Sequence, residues 1–396
     1  MYMISHITTG WLLVLGLASM PFYGESPPLH KTPSKAEIDQ AINLAGSYME
    51  RVCGPAGRFV YRTEIQSGKQ SESYNIVRHE GAIYALTMLQ RGRKNQETAN
   101  AVIRASTFLR QNYVGPGVRV DQLVVWSKPL PESSPAELGA TGLGLVALTG
   151  LEDVKPGSVP LSQLEALGRF VIFLQKDDGS FISKYRSDSG ADETFESLYY
   201  PGEAALGLID LYETDHSSVW LKAAAKALSY LAKSRSTLSE VPPDHWALIA
   251  TAKLLTHYPQ SASPTLRKEL IQHAVQVCRT LMKDQERMPT DESLDGSFDA
   301  TGRTAPTATR MEGLLAALEF LPEGSLRDQV KDTVDRGIAF LLRTQIQGGI
   351  YAGAMPNAHL AASPDAFYIR IDFVQHALCA WLQYQRMFSR KEAAQP

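Results

Sequence analysis

Five apolar helical runs in this chain open on polar side chains able to handle protons: Arg78-His79-Glu80, Tyr199-Tyr200 with Glu203, Asp244-His245-Trp246, Arg310 with Glu312, and Asp372 with Gln375-His376. Two carboxyls such as Glu203 and Glu312, placed on either side of a bond, serve glycosidic hydrolysis as acid and as base or nucleophile. His245 and His376 offer imidazoles, whose ordinary titration range suits exchange of a proton at carbon. Glu80 is a third carboxyl of the same kind. Around these five candidate catalytic groups stand residues fitted to hold a substrate: Arg78, His79, Arg310, Asp244 and Asp372 by charge and hydrogen bonding, Tyr199, Tyr200 and Trp246, with Tyr74, by stacking. Any one of the carboxylates is also what a helix N-terminus selects as a cap. As a group they exceed capping, because a charged side chain at the head of an apolar helix is costly unless a solvated cavity receives it.

The elements that must carry these residues alternate along the chain. One kind of segment has a single apolar stripe at three- and four-residue spacing, as in Ile38, Ile42, Ala45, Met49 or Val330, Val334, Ile338, Leu341, and predicts an outer helix. The other kind is apolar nearly all round and rich in Ala and Gly, as in the runs from Glu80, Gly142, Glu203, His245, Glu312 and Gln375. A helix apolar on every side is surrounded by protein. There are six of each kind, and the inner starts are separated by 62, 61, 42, 67 and 63 residues. Such a period marks a repeat architecture, and units longer than those of the common open solenoids favour closure into a ring. The expected fold is all-α, an (α/α)6 toroid of six helical hairpins with short β-like turns at its mouth. In such a ring helices three apart face each other, so Glu80 is expected opposite His245 and Glu203 opposite His376. The second inner helix, opening at Gly139-Ala140-Thr141-Gly142, carries no charge and is expected to form a bare wall for substrate.

Several outer helices run into turns of one chemistry: Asp177-Asp178-Gly179-Ser180-Phe181, Asp295-Gly296-Ser297-Phe298, Gly57-Arg58-Phe59 and Gly348-Gly349-Ile350-Tyr351. The glycines supply positive φ and the aromatics pack back under the ring. This punctuation resembles that of terpenoid cyclases, protein prenyltransferases and the helical domain of D-glucuronyl C5-epimerases. A class II cyclase implies an Asp-rich DxDD motif and a prenyltransferase implies Cys and His zinc ligands; neither is present. What remains resembles carbohydrate-active six-hairpin toroids, among them glucuronyl epimerases, glycoside hydrolases, polysaccharide lyases and N-acylglucosamine 2-epimerases. The last of these implies catalytic histidines on late inner helices, where His245 and His376 stand, although that family's tryptophan-rich motifs are missing.

The 396 residues are 44% hydrophobic and 20% charged with a formal net charge of -3, which gives no sign of a nucleic-acid binder. Residues 1–25 read as a signal peptide or N-terminal anchor around the apolar stretch Trp11 to Met20, too short to span a bilayer comfortably. Residues 26–35 are a Pro-rich lead-in, 36–388 the toroid and 389–396 a tail. Cys278 and Cys379 sit on apolar faces as core residues. No cofactor is expected and no Cys/His cluster points to a metal. Six helix N-termini opening on one cavity, reinforced by Arg78, Arg303, Arg310 and Arg370, favour an anionic ligand. The sequence therefore points to a secreted or periplasmic enzyme on an acidic glycan or uronate, by epimerisation, β-elimination or hydrolysis. A non-catalytic toroid that binds glycan or peptide in envelope polysaccharide assembly is the alternative.

Overall fold

In the computed structural model, residues 32–131, 135–258, 263–286, 292–359 and 368–393 are described, and from Thr32 onward the chain forms one compact unit. The expected leader, residues 1–25, lies outside the described residues. The six hairpins, outer helix first, are α1 (Lys35–Val52) and α2 (Ile76–Gly92), α3 (Gln96–Asn112) and α4 (Leu138–Val154), α5 (Leu161–Phe173) and α6 (Tyr200–Asp215), α7 (Ser218–Arg235) and α8 (His245–His257), α9 (Pro264–Glu286) and α10 (Thr304–Ala317), and α11 (Ser325–Thr344) and α12 (Ile371–Ala393). Each even-numbered helix packs on the next even-numbered one, and α12 packs on α2, so the inner ring is closed. This is the (α/α)6 toroid.

Inner helices meet closely because their contact faces are small. A Cβ on Gly142 would lie 2.7 Å from the backbone of Ala204, and one on Gly207 would lie 2.3 Å from the Gly142 carbonyl. The outer helices are locked by the repeated turn. Gly179, at φ +101, approaches the Lys226 carbonyl of α7, and Gly353, at φ +90, approaches the Leu44 carbonyl of α1. A Cβ would collide at both positions, and the positive φ itself selects glycine. One glutamine accompanies each of three turns: Gln175 donates to Ala223 O, Gln285 to Gly296 O and Thr333 O, and Gln345 to Ala41 O. The last of these ties α11 to α1 and closes the outer ring.

Between outer and inner helices at the mouth run seven short strands. β1 (Arg62–Glu64) pairs antiparallel with β7 (Tyr368–Arg370), in register Arg62 to Arg370. β2 (Val114–Pro116) pairs with β3 (Leu123–Val125), and β4 (Ala136–Glu137), β5 (Lys184–Arg186) and β6 (Gly190–Ala191) form one small sheet. No helix among the described residues is long and apolar enough to cross a membrane. Cys53, Cys278 and Cys379 are free and buried.

Candidate active site

Several inner helices begin a turn or more before their apolar runs do: α2 at Ile76, α4 at Leu138, α10 at Thr304 and α12 at Ile371. The polar residues therefore occupy different depths. Glu203 and His245 stand in first turns, whereas Glu312 lies eight residues past the start of α10. A cavity of about 490 Å³ opens at the mouth, and Glu203, His245, His376, Tyr199 and Trp246 line it. Arg78, Arg303, Arg310, Arg370 and Asp372 also line it.

The histidines meet. The rings of His245, from α8, and His376, from α12, have centroids 5.8 Å apart at near-perpendicular planes, with α10 between their helices. Histidine thus meets histidine; Glu80, expected opposite His245, turns instead toward Gly144 of α4 and lies outside the cavity lining, whereas Glu203 and His376 line one cavity from helices three apart in the ring. His245 is buried, and neither ring nitrogen has a hydrogen-bond partner among the described residues. Its pKa is pushed well below the ordinary value by burial first, then by the charges of His376 and Arg310, so it stands neutral. Tyr199 packs its ring edge-on at 4.9 Å.

His376 is held differently. Its Nδ1 lies 2.5 Å from Glu312 Oε1, with Gln375 Nε2 at 3.1 Å from the same nitrogen, which leaves Nε2 for the cavity. Glu312 is fully buried and does not reach the cavity. Burial raises its pKa, and the His376 charge works in the other direction. This corrects the reading of Glu312 as a carboxylate flanking substrate: it sits behind His376 as the group that fixes the imidazole and supports charge on it.

Glu203 is 4% exposed and its Oε2 has no partner. Burial, then the negative charges of Asp244 and Glu137, push its pKa to about 8. It is a carboxylic acid at neutral pH. The expected bare wall explains its position. A Cβ on Gly139 of α4 would fall 2.2 Å from Glu203 Oε2 and 2.3 Å from Tyr200 Cδ1, and one on Gly144 would fall 3.1 Å from Glu80 Oε1. The glycines of α4 are therefore filled by its neighbours, Gly139 by the Glu203 carboxyl and the Tyr200 ring, Gly142 by the Ala204 backbone and Gly144 by Val125 beside Glu80, and leave no approach for substrate; α4 gives the cavity only Leu143.

Five other expected site residues, Glu80, His79, Tyr74, Tyr200 and Asp244, lie outside the cavity lining. Glu80 is fully buried with both carboxyl oxygens unpartnered, and burial followed by Glu203 and Glu137 raises its pKa well above normal, so it is neutral. His79 points outward, 2.7 Å from Tyr74 Oη and 2.9 Å from the Ala105 carbonyl of α3, with its pKa lowered to about 4 by burial. Tyr74 is drawn outward with it. Tyr200 packs against Gly139 and Phe195. Asp244 caps α8 through Ala247 N and pairs with Arg235. For His79, Tyr200 and Asp244 a nearer structural partner claims the side chain.

The cationic wall is braced by carboxylates. Asp372 accepts from Arg370 Nε and Nη2 at 2.5 and 2.8 Å and pairs with Arg78 Nε at 3.1 Å, while Arg78 also donates to Tyr61 Oη. Arg303 forks onto Asp299, and Arg310 lies 3.4 Å from Asp284. Two guanidiniums share one carboxylate at Asp372, so that corner keeps net positive charge. Tyr368 and Asn357, from the segment leading into α12, also line the cavity. Nothing in their sequence marks them; β7 pairing with β1 carries Tyr368 there. Among the described residues no set of three or more side chains is gathered to hold a metal ion.

No family model matches the chain, and no curated protein matches it either. Solved structures do. A cellobiose 2-epimerase from Spirochaeta thermophila DSM 6192 superposes with a TM-score of 0.66 at 13% identity, over 90% of this chain and 97% of that one. A sugar epimerase from a ruminal bacterium gives 0.65 at 9% identity over 88% and 98%. An unsaturated glucuronyl hydrolase specific for heparin gives 0.59 at 11% identity over 90% and 99%. At these identities the likeness establishes the shared toroid.

Proposed function

We propose that this toroid is a carbohydrate enzyme that moves a proton at a sugar carbon beside a carbonyl or carboxylate, an epimerase-type reaction on an acidic sugar or the end of an acidic glycan. The observation that carries the reading is the pairing of His245 and His376 in one cavity in opposite settings. His245 is neutral and unpartnered, a free base. His376 is backed by the buried Glu312 carboxyl, which stabilises an imidazolium. The free neutral imidazole takes the role of base, and the imidazole hydrogen-bonded to a carboxyl that of acid. Ring centroids 5.8 Å apart let one carbon lie within about 3 Å of a nitrogen from each.

In the step itself His245 takes the proton from carbon, and the C–H electron pair becomes the new C=C bond. The carbonyl π pair moves to oxygen, which takes the Glu203 proton. His376 then returns a proton to the carbon from its own side while the O–H proton goes back to Glu203. The product is the epimer, with the proton now on His245 and His376 neutral; exchange with solvent restores the starting states. Hydrolysis by a pair of carboxylates fits less well, because Glu312 is sealed behind His376 and Asp372 is engaged by two arginines. The net positive corner at Arg78 and Arg370 supports an anionic substituent on the sugar. Six converging helix N-termini add to it. The likeness to epimerases and to a glucuronyl hydrolase agrees with a sugar ligand.

The test is incubation with reducing sugars, uronates and uronate-ended oligosaccharides in D2O, followed by NMR and mass spectrometry. Deuterium at one stereocentre with appearance of the epimer supports the reading. An unsaturated product assigns β-elimination, cleavage without carbon-bound deuterium assigns hydrolysis, and binding without any product assigns a non-catalytic glycan-binding toroid; each of the three overturns epimerisation. We propose also that the chain is exported to the periplasm or beyond, on the apolar stretch from Trp11 to Met20. N-terminal sequencing of fractionated cells tests this, and an uncleaved cytoplasmic product refutes it.

A further inference from the structure

The two imidazoles are placed by different means. His376 is tied by a hydrogen bond, its Nδ1 lying 2.5 Å from Glu312 Oε1. His245 has no hydrogen-bond partner among the described residues, so packing fixes it. The residue after Glu312 is Gly313, and a Cβ there would lie 2.9 Å from His245 Cβ, 3.0 Å from its Cα and 3.2 Å from Leu248 Cδ1. Consecutive residues of α10, the helix between the two histidines, therefore serve one imidazole each. On its other side the first turn of α8 sits in a second notch: a Cβ on Gly202 of α6 would lie 2.7 Å from Trp246 Cβ and from Ala247 N. Behind α10, Met311 fills the place of a side chain at Gly337 of α11, its Sδ 2.3 Å from the would-be Cβ. The turn that carries His245 is thus clasped between two glycines, with α10 backed by α11. Close-packed interiors pass on a change of one carbon and do not absorb it.

We propose that Gly313 is a positioning residue that sets the spacing of the two histidines: by lacking a side chain it lets His245 approach the carbon whose other face meets His376, while Glu312 beside it holds His376. This rests on the reading of the two imidazoles as the proton-transfer pair. The neighbouring rings do a different job. Tyr199 meets His245 edge-on with centroids 4.9 Å apart, and Trp246 lies at 5.2 Å with planes 39° apart. They set the turn of the imidazole about its Cβ, whereas the seat on Gly313 sets where that Cβ stands. Ordinary contact between carbons is about 3.5–4 Å. A methyl on Gly313 therefore drives His245 away from α10, and so from His376 on the far side of that helix, by roughly 0.6–1 Å.

The experiment is NMR of the full chain, labelled in its histidine rings and free of substrate. In wild type a nuclear Overhauser contact joins the rings of His245 and His376. In Gly313→Ala that contact is lost while the His376 Nδ1 proton keeps its signal against Glu312. Tyr199→Leu is the second variant, and because Tyr199 is only partly buried the chain tolerates it; there the contact between the histidines persists. Survival of the contact at wild-type strength in Gly313→Ala overturns the proposal, and so does its loss in Tyr199→Leu. Exchange in D2O adds a readout that simple destabilisation does not move. Gly313→Ala slows exchange from the epimer that gives its proton to His245 by roughly tenfold to a hundredfold. The other epimer gives its proton to His376, which returns a deuteron to the same face while the C–H pair moves out into C=C and back, and it exchanges at the wild-type rate. Equal slowing of both epimers overturns the proposal. The ring contact needs no turnover, so a chain inactive on every sugar refutes the reaction and leaves this result readable, whereas turnover with an unmoved contact refutes only the role of Gly313.

Discussion

Replacing Gly139 by alanine tests the site at its tightest point. The added Cβ would lie 2.2 Å from Glu203 Oε2 and 2.3 Å from Tyr200 Cδ1. Ordinary contact is longer than either distance by more than an ångström, so the carboxyl and the ring must both retreat by about 1 Å, a misplacement that costs roughly a hundredfold in rate. Stability should change far less. Alanine gains up to about 1 kcal/mol over glycine in a helix, against about 1–3 kcal/mol for overpacking, and Tyr200 is only partly buried and free to swing. The expected result is a fall in kcat of about two orders of magnitude with a loss of stability of no more than about 2 kcal/mol. Gly92, at the end of α2, has no atom within 4 Å of its would-be Cβ, so Gly92→Ala is the control and should keep full activity. The assay is deuterium incorporation into the reactive sugar beside thermal melts of the three proteins. Wild-type turnover in Gly139→Ala would refute the idea that the glycine wall exists to seat Glu203.

Glu203 carries its proton to about pH 8 in the native state against an ordinary 4.5. The native state therefore binds more protons than the unfolded chain between those values, and stability falls as pH rises through the window, by up to about 1.4 kcal/mol per unit. Glu203→Gln should lose this dependence and gain on wild type between melts at pH 5 and pH 9, while wild-type turnover declines above about pH 8; parallel melts at both values would show the reasoning to be wrong. Glu312→Gln should lower kcat roughly a hundredfold with little change in KM, since it touches His376 and not the cavity; a pure KM effect in steady-state kinetics argues for substrate contact instead. Arg78→Gln should raise KM about tenfold or more for a carboxylated sugar and much less for its neutral analogue, and an equal effect on both in a paired comparison would remove the anionic substituent from the proposal.

The chemistry of Glu203, His245 and His376 was legible because each stands at the head of an otherwise apolar run, where a proton-handling group is costly unless a cavity receives it. Other residues with the same local signature went elsewhere. His79 turns outward because α3 presents the Ala105 carbonyl and Tyr74 its hydroxyl. Glu312 lies too deep, since α10 starts at Thr304 and the polar stretch Thr304 to Arg310 belongs to the helix. The face that a helical residue presents depends on where the helix begins, and a few polar residues at its start blur that point in the sequence.

Periodicity alone determined the six outer and six inner helices, and the glycine turns marked where several of the outer helices are locked. That information is local: a stripe three and four residues apart and a positive φ are properties of neighbours along the chain. The pairing of His245 with His376, the seating of Glu203 in the glycine wall of α4, and the Arg235–Asp244 pair were decided by the ring. They join residues 131, 64 and 9 positions apart, and whether two side chains meet across a toroid depends on the depth and rotation of each helix, which only the packed whole fixes.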